Sequence, residues 1–220
     1  MNRAARVLAW WRDPRQWSAL ALVVVLLLAL PPLRALLEAS MSSHMLVQMP
    51  LLAAAGFIGT RGLPAARRDR LYRLSGGALP LVLMTMVASS YWMLPRALDA
   101  ALADPWAELA KFASLPLLAG APLALAWQRL GPIARGFLWT NVVSMLAVLG
   151  WLYMAAPVRV CNSYLASAQY DAGLWMVGIA LAGFLGWLVA WMAGPRQAAR
   201  VLDAATGPER PPPITLPQPR

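Results

Sequence analysis

The sequence predicts an all-α polytopic transmembrane helical bundle of six spans with both termini cytoplasmic, and three observations predict it. Six apolar stretches run over residues 17–35, 41–60, 74–95, 106–127, 133–155 and 170–193, each near the ~20 residues with which a helix crosses a bilayer. Hydrophobic residues make up 60% of the 220-residue chain and charged ones only 13%, far from the soluble average. Of the 18 arginines, 15 lie before the first stretch, between the second and third, between the fourth and fifth, or after the sixth, and only Arg34, Arg96 and Arg159 lie on the other side. Excess positive charge marks cytoplasmic loops, so three short loops face outward. Uniformly apolar spans of this length are helices rather than barrel strands.

The first stretch follows Arg3, Arg6, Arg12 and Arg15 and carries Trp10, Trp11 and Trp17 where an interfacial aromatic belt anchors a helix. Pro31, Pro32 and Arg34 stand after it in place of a small-residue cleavage site, so it reads as a retained span and not a cleaved signal. Pro50 in the second stretch, Pro80 in the third and Pro116 and Pro122 in the fourth each remove a backbone donor and free a carbonyl four residues earlier; for Pro50 this is Leu46. Gly76-Gly77 reads as a loop-to-helix junction. Glu108 and Lys111 form a helix-neighbour pair at the outer end of the fourth span. In the sixth, Gly178, Ala182, Gly186, Ala190 and Gly194 form a small-residue stripe, read as a face for packing within the bundle. Residues 1–195 thus form a single six-helix domain, and 196–220 a Pro/Arg-rich cytoplasmic tail, extended or disordered from Thr206. The net charge of +10 belongs to topology and the anionic inner leaflet, so membrane lipid and not nucleic acid is its partner.

The second span opens Met41-Ser-Ser-His44-Met45-Leu-Val-Gln48-Met49-Pro50. Met41, Met45 and Met49 share one helical face, and His44 with Gln48 forms the adjoining row. Thioether and imidazole together suit Cu(I), whereas methionine as core filler and a hydrogen-bonded structural histidine are the bland alternatives. Met84, Met86, Met93, Met154, Cys161, Asp171 and Met176 fall at the same outer level. Asp171 fits a helix cap, a partner for Lys111, or a place beside a metal. Cys161, alone in the chain, is a free thiol, an intermolecular partner or a ligand. Asp99, Asp104 and Glu108 read as a solvated face. No nucleotide-binding glycine pattern occurs, and one histidine supports neither a bis-imidazole haem nor a zinc protease site, so the chain is not read as an enzyme.

His44-Met45-x-x-Gln48-Met49 resembles the H-M-x-x-H-M segment of CtaG-like membrane proteins, assembly factors of cytochrome c oxidase. Leu115-Pro116-Leu117-Leu118-Ala119-Gly120-Ala121-Pro122 is similar to that family's Pro-rich helix, and Gln169 to Met176 to its D-Q-x-x-A-G segment. The resemblance covers residues 41–193 loosely. It implies a bacterial inner-membrane protein that handles Cu(I) for the oxidase copper centre at the periplasmic face. An oxidase subunit or a copper donor protein would be its partner. The ligands would come from His44, Met45, Met49, Cys161, Met176 and Asp171. The chain departs from the family in having six spans where seven are usual, and Gln48 where a second histidine is expected. A non-metal structural subunit or scaffold of a membrane complex and a small permease are the other readings.

Overall fold

The computed structural model describes residues 14–205, and every regular element among them is helical. In chain order these are α1 (Pro14–Ala29), α2 (Pro31–Glu38), α3 (Met41–Arg61), α4 (Ala65–Leu74), α5 (Ala78–Trp92), α6 (Pro95–Ala103), α7 (Pro105–Trp127), α8 (Pro132–Ala155) and α9 (Ala166–Ala205). Four helices, α3, α7, α8 and the Ala166–Met192 part of α9, are long and apolar enough to cross a membrane, and two bent pairs raise the number to six if each counts as one span. One compact unit runs to Ala180, and a second begins at Leu181.

The first apolar stretch is not the straight span expected, and the third supplies only 15 residues of straight helix, α5. Leu30 is extended ahead of Pro31 and Pro32, and α2 leaves α1 at 70°. Consecutive prolines cannot continue the hydrogen-bond ladder, so the chain turns there. Likewise α4 and α5 meet at 84°, across Gly76 and Gly77, whose positive φ angles of 77° and 99° suit glycine. The arginine-rich residues 65–74 are thus a separate helix and not loop, and the segment after Leu94 also folds, as α6. The domain boundary expected at residue 195 falls inside α9, which continues to Ala205. Arg3, Arg6, Arg12, Trp10, Trp11 and the tail from Thr206 lie outside the described residues.

Helices α3 and α7 interlock through two glycines. A Cβ on Gly56 would lie 2.0 Å from the Pro116 carbonyl oxygen, and one on Gly120 would lie 1.9 Å from that of Ala53. Each helix also contains one wide turn, at His44–Gln48 and Leu115–Gly120, where an N–H reaches the carbonyl five residues back: Met49 to His44, and Ala121 to Pro116. Each wide turn is closed one residue before a proline, Pro50 and Pro122. The missing donor leaves the ladder free to take in an extra residue, so the expected kink becomes a bulge.

The small-residue stripe of the sixth stretch is not where α9 makes its close approach in the first unit. A Cβ on Gly178 would meet nothing within 4 Å, whereas Gly150 of α8 and Gly173 of α9 pack backbone to backbone, with would-be Cβ contacts of 2.7 and 2.6 Å to each other's carbonyl oxygens. Gly173 lies five residues before Gly178, so the two face different sides of the helix.

Candidate functional site

The bend at Pro31 and the corner at Ala39–Ser40 bring the end of α2 against the start of α3. Ser40 caps α3, its Oγ accepting from the Ser43 N–H at 3.1 Å, while Ser43 Oγ donates to the Leu37 carbonyl at 2.6 Å. This fixes the first turn of α3 and so aims His44 and Gln48 inward, both with no exposed surface. The wide turn that follows helps bury both rows of the helix, since Met41, Met45 and Met49 are buried too.

Across from them stands Lys111 of α7, which is fully buried. Its ammonium lies 2.7 Å from Glu38 Oε1, 3.0 Å from His44 Nε2 and 3.2 Å from Gln48 Oε1. An ammonium has three donors and no acceptor, so all three are used and His44 Nε2 accepts. The proton of the neutral ring is therefore assigned to Nδ1, which donates to Tyr164 Oη at 3.0 Å, and Tyr164 in turn donates to the Glu38 carbonyl at 2.8 Å. Gln48 Nε2 also donates to Glu38 Oε1, at 3.2 Å. At its rim Arg34 pairs with Glu108 at 2.7 Å and approaches Glu38 Oε2 at 3.8 Å. Two cations and two anions balance, as a buried ionic cluster in an apolar bundle requires.

These partners correct two expectations. Lys111 pairs with Glu38 and not with Glu108 or Asp171. Asp171 is exposed and lies well past the start of α9 at Ala166, so it caps nothing. Helix spacing favoured the Glu108 pair, but the bend before α2 delivers a carboxylate from a distant segment to the buried side. The solvated-face reading also fails in part. Asp104 caps α7 through the Trp106 N–H at 3.1 Å, but Asp99 of α6 reaches into the loop before α9.

There Asp99 accepts from Cys161 Sγ at 2.8 Å and from the backbone N–H groups of Asn162 and Ser163, both at 2.9 Å. Burial alone raises the Asp99 carboxyl, but the bonds from Cys161, Asn162 and Ser163 outweigh it and hold it below its ordinary value. Burial and then the Asp99 hydrogen bond and charge push the Cys161 thiol up to about 12. Cys161 is thus a buried neutral thiol in a tied loop, the opposite of an activated thiolate. Gln169 adds a second tie, accepting from Val160 N–H at 2.8 Å and donating to the Tyr153 carbonyl at 3.1 Å.

Met41, Met45, Met49, Met93, Met176, Cys161 and Tyr164 belong to one buried cluster beside the polar centre. Met84 is exposed, and Met86 and Met154 are half-buried. The thioethers and the imidazole suit Cu(I) in kind. Their arrangement suits it only in part, because the one lone pair that His44 offers is taken by Lys111. Among the described residues no group of three or more His, Cys, Asp or Glu side chains converges as a metal site, so a soft-metal site here would rest on thioethers with His44. Sequence reading missed Glu38, Lys111, Gln48 and Tyr164 as one unit. Its available signal was Lys111 itself, the only lysine beside 18 arginines, set in an apolar span. No family model, curated protein or solved structure matches the chain.

Proposed function

We propose that the chain is an inner-membrane assembly factor for cytochrome c oxidase that holds Cu(I) in the thioether cluster around His44, on the periplasmic side of a six-span bundle. One observation carries the reading: Met41, Met45, Met49 and Met176, from two helices, belong to one buried cluster, and His44, the only histidine of the chain, is buried on the same helix as the first three. Soft sulfur donors that exclude water suit a monovalent soft cation and suit hard ions poorly. A partner, either an oxidase subunit or a copper donor, would exchange the ion at that end. The positive-inside bias supports the orientation, and reporters fused at Arg68 and Asp104 should fall on opposite sides of the membrane.

The test is Cu(I) stoichiometry of the purified full chain against a competing chelator. Wild type should bind Cu(I), and Met45→Leu with Met49→Leu, which keep volume and remove sulfur, should weaken it. Unchanged binding in a folded variant would make the methionine face mere core. A second reading, a non-metal scaffold of a membrane complex, is favoured by a separate observation: both ring nitrogens of His44 already have partners within the chain. Absence of Cu(I) binding by wild type and variants alike would leave that reading in place.

A further inference from the structure

The Lys111 ammonium stands where a carboxylate oxygen, an amide oxygen and an imidazole nitrogen from α2 and α3 converge, at 2.7, 3.2 and 3.0 Å. Convergent lone pairs of this kind are what a buried cation needs, and here the cation is tethered to α7. The imidazole offers one lone pair, at Nε2; the other nitrogen is bound as a donor to Tyr164. His44 can therefore accept from Lys111 or ligate a metal ion, but not both. A metal ion at Nε2 would also sit within a few ångströms of the ammonium, where two positive charges in a poorly solvated site repel strongly.

We infer that Lys111 is a tethered plug for the copper site proposed above: its ammonium holds His44 Nε2 against Cu(I), and His44 joins the thioethers as a ligand only when the ammonium withdraws. The inference rests on the copper reading. Withdrawal has a destination in the structure, since Glu108 already forms part of the rim through Arg34. Glu38 and Arg34 are the other charged groups facing the ammonium, and Phe112 lies 5.2 Å from it by ring centre. The plug makes a closed, dry state stable without metal, because every donor of the ammonium is satisfied by the chain.

The experiment removes the plug without leaving a buried unpaired carboxylate. Lys111→Leu combined with Glu38→Gln should bind Cu(I) more tightly than wild type by roughly tenfold or more in competition with a chelator, and adding His44→Ala should abolish the gain. Because the chain has a single histidine, the imidazole 15N signals report ligation directly. In wild type the Nε2 signal should stay put while the first equivalent of Cu(I) binds, and in the plug-free variant it should move with that equivalent. Equal affinity in both proteins, or an Nε2 shift with the first equivalent in wild type, overturns the plug and leaves the copper reading standing. No Cu(I) binding by either protein overturns both. If the double variant does not fold, an Nε2 shift with the first equivalent in wild type still overturns the plug.

Discussion

The two ends of the first compact unit hold their charges in opposite ways. At the His44 end Lys111 is fully buried and Glu38 is 13% exposed, and they meet across helices at 2.7 Å with His44, Gln48 and Tyr164 hydrogen-bonded around them. At the other end the arginines are mostly exposed and lie over rings: Arg61 over Phe57, Arg129 over Tyr72, Arg135 over Trp127. The ion pair there, Arg129 with Asp69, is 37% and 48% exposed. Exposed positive charge beside aromatic rings suits an interface between water and lipid and needs no particular partner. A buried charge requires a partner in a defined geometry, so the His44 end is the part of the molecule where a small change of sequence has a large consequence.

The sharpest way to break the comparison is to cut one member from each pair. Lys111→Ala strands Glu38 in the bundle and should cost about 3–5 kcal/mol, whereas Arg129→Ala should cost about 1 kcal/mol or less. Chemical unfolding in detergent micelles measures both, and equal losses would mean that the ends do not differ in kind. A smaller effect is expected at the crossing that brings α7 and its lysine against α3. Gly120→Ala forces a methyl onto the Ala53 carbonyl and should destabilise by about 1–3 kcal/mol. Gly178→Ala, with open space around it, should change stability by under ~0.5 kcal/mol.

The mildest effect concerns Cys161 and extends the contrast to the loop beside the buried centre. With its thiol pushed up to about 12, only about one molecule in ten thousand carries a thiolate at pH 8. Alkylation should be slow there, rise steeply with pH, and be indifferent to Cu(I). Asp99→Asn removes the carboxylate and should speed alkylation several-fold at pH 8. The fold favours the neutral thiol, so that contribution is whole below the ordinary thiol range and fades as pH climbs toward about 12. Fast alkylation of wild type, slowed by Cu(I), would return Cys161 to the metal site.

Several features were legible before any coordinates because they depend on local chemistry. Pro50 and Pro122 announced broken ladders, and both helices bulge there. Gly76-Gly77 announced a junction, and both adopt positive φ. The two helical rows of Met41, Met45 and Met49 and of His44 with Gln48 were legible, but that both rows are buried was not. The partners of those residues were not legible. Glu38 lies between the first two apolar stretches and Tyr164 between the last two, neither with a local signal, and Asp99 reads as solvated, since each finds its partner 60 residues or more away in sequence.

What the sequence determined by itself is therefore the helical class, the apolar lengths and the positions where backbone bonding fails, all consequences of residue type within one turn or one span. Only the tertiary structure decided which charge meets which. The 70° bend at Pro31 sends Glu38 toward α7 and not onward along α1, and the Gly56 and Gly120 crossing sets how near Lys111 comes to His44. Pairing depends on distances between helices of a few ångströms, and no spacing along one chain segment encodes those.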